Sequence, residues 1–239
     1  MLRQFLRSTL RHVGLDVRRY RPATSADAAL KAMLAFHRIN LVFDVGANTG
    51  QFGALLREAG YAGRLVSFEP LSAAHLQLTK VARHDPLWEV ASPMAIGSEN
   101  GEIELHVSGN SVSSSVLPML EAHSSAAPES AYVSSEKVPL RTLDTVAAAY
   151  LRPDTELFIK IDTQGYEDRV LRGAGTVLQR TKGLQLELSL VPLYEGQRQF
   201  DDLLAELQHA GFELWNMTPA FVDPVRGRLL QVDATLFRR

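Results

Sequence analysis

Three short stretches carry side chains that could do chemistry: Asp44-Val45-Gly46-Ala47-Asn48-Thr49-Gly50, Ser67-Phe68-Glu69-Pro70 and Lys160-Ile161-Asp162-Thr163-Gln164-Gly165. Each takes in the end of a short apolar strand candidate, Leu41 to Val45, Arg64 to Phe68 and Leu157 to Ile161 respectively, and the polar turn after it. An apolar strand that breaks into a glycine-bearing polar turn is where open α/β sheets bind nucleotides, because glycine lets the backbone turn sharply and approach a ligand. The kind of nucleotide follows from what is missing. No Gly-Lys-Ser or Gly-Lys-Thr is present to cradle phosphates. Gly46 and Gly50 are spaced G-x-x-x-G, not the G-x-G-x-x-G that admits a dinucleotide's pyrophosphate. What remains is a nucleoside without phosphates. Asp44 beside the turn can attract an amino or sulfonium group, and Glu69 can take both ribose hydroxyls, which describes S-adenosylmethionine.

These turns need a frame of alternating strands and helices. Gln51 to Ala59 has Phe52, Leu55, Leu56 and Ala59 at helical spacing, and Gly60 suits a left-handed C-terminal cap. Ser72 to Ala82 reads as the next helix, and Trp88 to Ala91 as a third strand leading into Pro93-Met94-Ala95-Ile96-Gly97. Upstream, Ala26 to His37 forms a helix behind the capping candidates Thr24 and Ser25. Gly101 to Val107 alternates, with Ile103, Leu105 and Val107 on one face, which predicts a half-exposed strand in an added hairpin. Residues 108–135 hold ten serines and no strong element, so a lid over cofactor or substrate, or a flexible insertion, is expected there. Glu136 to Leu140 then reads as a short strand, Leu143 to Tyr150 as a short helix, and Tyr166 to Gln179 as a helix interrupted at Gly173-Ala174-Gly175. Gly183 to Leu190 is a fifth strand and Phe200 to Ala210 a helix. Phe212 to Met217 and Leu229 to Phe237, joined by a hairpin-length turn, imply that the last strand runs antiparallel.

With 239 residues, 46% of them hydrophobic, the chain can bury one α/β domain, expected over residues 39–239 behind a helical basic segment, 1–38. A net charge of −2 argues against wholesale binding to nucleic acid, since no basic field replaces phosphate counterions. The absence of cysteine excludes a disulfide framework, a thiol nucleophile and a thiolate metal site. No apolar run approaches the roughly 18 residues of a membrane span, and the N-terminus lacks a signal peptide's apolar core, so a cytoplasmic protein is expected. In residues 1–22, Arg3, Arg7 and Arg11 form an i, i+4 row beside Leu2, Phe5, Leu6, Leu10 and Val13. This predicts an amphipathic basic helix that packs on the domain or on a partner subunit of a homodimer, or lies on an anionic membrane at its inner face. The seven histidines form no H-x-H or H-x-x-x-H pair.

The stretches Val42-Phe43-Asp44-Val45-Gly46-Ala47-Asn48-Thr49-Gly50-Gln51-Phe52, Ser67-Phe68-Glu69-Pro70, Ala95-Ile96-Gly97 and Lys160-Ile161-Asp162-Thr163-Gln164-Gly165-Tyr166-Glu167, in this order and spacing, resemble the FkbM family of S-adenosylmethionine-dependent O-methyltransferases. The likeness covers about residues 40 to 215. It implies a Rossmann-like class I methyltransferase: seven strands, mostly parallel, ordered 3-2-1-4-5-7-6 with strand 7 antiparallel and helices on both faces. It also implies a hydroxyl acceptor, often on a sugar of a glycolipid, polysaccharide or glycosylated metabolite. By resemblance Asp44, Gly46, Asn48 and Gly50 surround the methionine part of the cofactor, Glu69 holds the ribose, and Ala95 and Ile96 border the adenine. Asn110 to Ser115 would close over cofactor or acceptor.

Methyl transfer requires the protein to align the acceptor oxygen and manage its proton. Asp162, at the carboxyl end of the fourth strand, is the first candidate to accept that proton or to help hold Mg²⁺. Glu187 in the neighbouring strand is the second, orienting a sugar hydroxyl or completing a metal site with Asp162. Lys160 shares the strand face of Asp162, to pair with a carboxylate or bind the acceptor. Gln164 stands where the family often has an acid, which lowers the negative charge available to a metal. Glu167, in the first turn of a helix, reads as structural. The competing reading is a nucleoside-binding regulatory or scaffold domain without catalysis; an NAD-dependent oxidoreductase is disfavoured by the glycine spacing.

Overall fold

The computed structural model describes residues 10–15, 17 and 19–239, so the basic helix expected within residues 1–22 lies largely outside the described residues. Helix α1 (Ala26–Phe36) starts at Ser25, whose Oγ accepts the Ala28 amide at 3.4 Å, and turns Leu30, Met33 and Leu34 inward. Then follow β1 (Leu41–Val45), α2 (Gln51–Glu58), β2 (Arg64–Phe68), α3 (Ser72–Ala82), β3 (Trp88–Val90), β4 (Ala95–Ile96) and β5 (Gly101–Ser108). After α4 (Glu121–Ala126) come β6 (Tyr132–Arg141), α5 (Leu143–Ala147), β7 (Leu157–Ile161), α6 (Glu167–Arg172), α7 (Gly175–Arg180) and β8 (Thr181–Ser189). The chain closes with α8 (Phe200–His209), β9 (Phe212–Val222) and β10 (Leu229–Arg238).

The main sheet is ordered β3-β2-β1-β7-β8-β10-β9, with β10 antiparallel to both of its neighbours. Counted within this sheet, that is the 3-2-1-4-5-7-6 order with a reversed last strand. Every residue of β1 and β7 is buried, as expected for strands covered on both faces. Phe43, Val45, Ile159, Ile161, Leu184 and Leu186 pack on one face, while Val42 and Phe158 pack with α1 and α2 residues on the other. Asp44 and Lys160 interrupt this second face. A three-stranded sheet, β4-β6-β5, leans on the main one and buries Leu105 with Val138 and Leu140, packed by Ile103 and Val107. This is the added hairpin with one extra strand.

The serine-rich segment departs from expectation. It contains α4 and a 3₁₀ turn at Pro128–Ser130, and β6 begins at Tyr132 rather than Glu136. Its order comes from distant partners, not from local periodicity: Tyr132 Oη donates to Leu117 O at 2.7 Å, and Met119 bridges to Tyr194. Trp88 is buried, whereas Trp215 is 44% exposed on the edge strand β9. Among the described residues no helix is long and apolar enough to cross a membrane.

Candidate active site

The polar turns after β1, β2 and β7 meet at the carboxyl edge of the sheet around a cleft of about 300 Å³. Gly46 (φ +77°) leaves β1 so tightly that an added Cβ would lie 1.9 Å from the main-chain oxygen of Asp162. Asn48 (φ +45°) and Gln164 (φ +53°) are also left-handed, which asparagine tolerates but which costs a glutamine roughly 1–2 kcal/mol. Both line the cleft, where such strain characteristically accumulates.

One polar row crosses the sheet beneath the cleft. Ser67, Asp44, Lys160 and Gln185 are register partners in β2, β1, β7 and β8. Trp88 Nε1 donates to Ser67 Oγ (3.0 Å), which donates to Asp44 Oδ2 (3.4 Å). Lys160 Nζ stands 3.3 Å from both Asp44 Oδ1 and Asp162 Oδ2 and donates to Gly46 O at 3.1 Å. The Asp44 contact is an ion pair without hydrogen-bond alignment. Asp44 is therefore not where the sequence placed it. It has no exposed surface and does not reach the cleft; it is the buried counter-ion that lets Lys160 sit in the floor, and a buried charge requires such a partner. Gly50 also stays off the cleft, capping α2 with φ +95° against Leu78 and Trp88. Burial alone would lower the Lys160 pKa, but Asp162 and Asp44 more than reverse this and raise it. Lys160 is thus a fixed cation and not a base.

Glu69 is held from two sides. Its Oε2 accepts the Asn48 amide (2.8 Å) and its Oε1 the Leu71 amide (2.9 Å), leaving each oxygen a lone pair. Burial nevertheless pushes the carboxyl up to about 7. Ala95 and Ile96 line the cleft with Leu71, Leu105 and Val116, an apolar end suited to a purine. At the other end Asn48 Oδ1 is buried without a partner, at a cost of about 1–3 kcal/mol until a ligand donor such as an ammonium satisfies it. Ribose acid, apolar slot and orphaned acceptor together fit S-adenosylmethionine. Because only the carboxylate can accept the two amides and a ribose diol together, affinity for S-adenosylhomocysteine should fall as pH drops through 7. Titration should give about tenfold weaker binding at pH 6 than at pH 8, and Glu69→Gln should abolish that dependence.

Asp162, 33% exposed through its side chain, opens to the cleft beyond Lys160. Gln164 spans the gap behind it: Nε2 donates to Asp162 Oδ1 (2.7 Å) and to Glu187 Oε2 (2.9 Å), and Oε1 accepts from Tyr194 Oη (2.7 Å). Gln231 Nε2 also donates to Glu187 Oε2, at 2.8 Å. Glu187 thus lies behind the cleft wall, and its carboxyl is raised by burial and by Asp162. The Asp162 and Glu187 pair does not fit Mg²⁺, because an amide N–H₂ already occupies the position between the two carboxylates that a cation would take. No three His, Asp or Glu side chains converge as a ligand set among the described residues. Glu167 is structural, accepting from the Thr163 and Gly165 amides at 2.9 and 3.2 Å and so fixing the turn that presents Asp162.

The roof is the serine-rich segment. Ser111, Val112, Ser114 and Val116 line the cleft; Asn48 Nδ2 donates to Ser111 Oγ (3.5 Å), and Ser115 Oγ donates to Gln164 O (2.6 Å). Phe52, Tyr166, Gln185 and Asp233 also line the cleft and were not singled out from sequence. For Gln185 the signal was present: Gln185 and Glu187 alternate with Leu184, Leu186 and Leu188, which puts a polar pair on one face of a largely buried strand.

A reversed last strand, a glycine turn after β1, an acid after β2 and a polar turn after β7 define a class I methyltransferase. Residues 44–214 match the family described as the methyltransferase FkbM domain, and the chain belongs to that family. No curated protein sequence matches it significantly. Solved structures are similar to the chain at low identity. A proposed methyltransferase from Thermobifida fusca is 12% identical with a TM-score of 0.52, the match covering 89% of this chain and 78% of that one. A candidate tRNA (m1A22) methyltransferase from Streptococcus pneumoniae, in complex with S-adenosyl-L-methionine, is 14% identical with a TM-score of 0.48, covering 88% and 72%. TehB from Haemophilus influenzae is 10% identical with a TM-score of 0.47; the match covers 88% of this chain but spans only 62% of TehB.

Proposed function

We propose that this methyltransferase acts on a hydroxyl group of a sugar in a glycolipid, polysaccharide or glycosylated metabolite, with Asp162 as the residue that takes the hydroxyl proton. When bound, S-adenosylmethionine supplies an electrophilic methyl group and a neutral thioether as the leaving group. The observation that carries the reading is the placement of Asp162. One carboxylate oxygen is held by Lys160 and the other by Gln164, so the group is oriented from behind while part of it remains open to the cleft. Lys160 stays protonated through the reaction and stabilises the carboxylate; Gln164 sets its direction; Glu69 and the Asn48 turn fix the adenosine and methionine ends. The roof of residues 111–116 excludes water from the reacting oxygen. Gln164 makes this arrangement independent of a divalent cation. Residues 1–22 are the segment that would bring the enzyme to a lipid-linked acceptor on a membrane.

The test is transfer from labelled S-adenosylmethionine to fractionated lipids and polysaccharides, with and without EDTA. Label is expected in a sugar-bearing fraction, unchanged by the chelator. Label confined to protein or nucleic acid would refute the acceptor class, and activity lost with EDTA and restored by Mg²⁺ would refute the role given to Gln164.

A further inference from the structure

We infer that Gln185 and Asp233 form the acceptor subsite, and that they select a hydroxyl-rich sugar residue carrying no negative charge. This rests on the methyltransferase reading above and adds to it the surface that chooses the substrate. The cleft does not end at Asp162. It continues along the same sheet face to Gln185 and Asp233. Register places them there: Gln185 is the β8 partner of Lys160, and Asp233 the β10 partner of Glu187, two residues further toward the carboxyl edge. Side chains two apart on a strand share a face, so Lys160, Asp162, Gln185, Glu187 and Asp233 form two adjacent polar rows.

The chemistry of those rows is one-sided. Gln185 Oε1 is buried with no partner, and the same side chain stands beside the Asp233 carboxyl. Asp233 is raised to about 6 by burial and by Asp162, which shows how poorly another negative charge would be accommodated here. Lys160 is the cation of this wall, and Asp44 and Asp162 already share it. A uronate or sugar phosphate would therefore meet the carboxyl groups of Asp162 and Asp233 without a free counter-charge. Neighbouring sugar hydroxyls, by contrast, donate to Gln185 Oε1 and to Asp233 and leave a third hydroxyl facing Asp162. Phe52 lines the cleft with its ring centroid 5.7 Å from Lys160 Nζ, an apolar surface for the C–H face of a pyranose.

The test uses the full chain saturated with S-adenosylhomocysteine and a panel of methyl glycosides of glucose, galactose, mannose and glucuronic acid, read by saturation-transfer NMR. At least one neutral glycoside is expected to bind and the glucuronoside is not. Gln185→Met and Asp233→Asn, made separately, should each weaken the neutral glycoside about fivefold to tenfold, the loss of one hydrogen bond. Calorimetry with S-adenosylhomocysteine should give wild-type affinity for both variants, which also establishes that they fold. If S-adenosylhomocysteine fails to bind the wild-type chain, the methyltransferase reading and the subsite fall together. If it binds but no neutral glycoside does, or the glucuronoside binds equally well, or neither variant changes glycoside binding, the subsite alone is overturned.

Discussion

Asp162→Asn is expected to lower kcat by about 10²- to 10⁴-fold, the usual contribution of a positioned general base, while S-adenosylhomocysteine still binds and the chain stays folded. The asparagine keeps the shape of the side chain and can still receive the Gln164 amide at its oxygen, so the turn from Asp162 to Gly165 is preserved. Lys160 retains Asp44 as counter-ion and the Gly46 carbonyl as acceptor, which keeps the buried cation compensated. What is lost is the group proposed to accept the hydroxyl proton. Two rival roles predict other outcomes. If Asp162 only balanced Lys160 structurally, thermal stability and cofactor binding would fall together with kcat. If the chain were a nucleoside-binding scaffold, the wild-type protein would have no turnover to lose. Assaying kcat, Tm and ligand affinity on the same preparation separates the three.

Gly46→Ala is expected to cost about 4 kcal/mol, a Tm lower by roughly 8–16 °C, and to eliminate cofactor binding. The methyl group would stand 1.9 Å from the Asp162 carbonyl oxygen; its position is fixed by the backbone and the oxygen is main chain, so no rotamer change relieves the overlap. The β1 and β7 turns must separate, and this displaces Asn48 and Asp162 together. Gly227→Ala provides the control, since that glycine has a similar φ, +67°, but nothing within 4 Å of an added Cβ. It should show only the left-handed penalty, roughly 1–2 kcal/mol. Thermal denaturation of the two variants distinguishes close approach from backbone strain.

The frame around the site was legible because β1, β2 and β7 are covered on both faces and therefore read as short, largely apolar runs, each with a polar residue just before its last position, followed by glycine or an acid. Glu69 and Asp162 could be placed in the cleft for the same reason, since each stands directly after the end of such a run, whereas Asn48 was placed by the family resemblance and Lys160 by sharing a strand face with Asp162. Depth was not legible. Asp44 is adjacent in sequence to the turn but lies one residue too early to emerge from the sheet, and only the β1–β7 register shows that Lys160 stands opposite it. Glu187 was misplaced to the cleft surface because the Gln164 side chain that screens it comes from another strand end. Gln185 and Asp233 required the β7–β8 and β8–β10 registers, which no local pattern encodes. The serine-rich segment concealed α4 and the first part of β6, since Tyr132 to Ser135 are ordered by pairing with β5 and not by their own alternation.

The measurement closest to the central claim is calorimetric titration of S-adenosylhomocysteine into the wild-type chain and Glu69→Gln at pH 8. The structure predicts one binding site per wild-type chain and markedly weaker binding to the variant, because Glu69 is the acid proposed to hold the ribose. No heat of binding with the wild type, or equal affinity for both proteins, would contradict it.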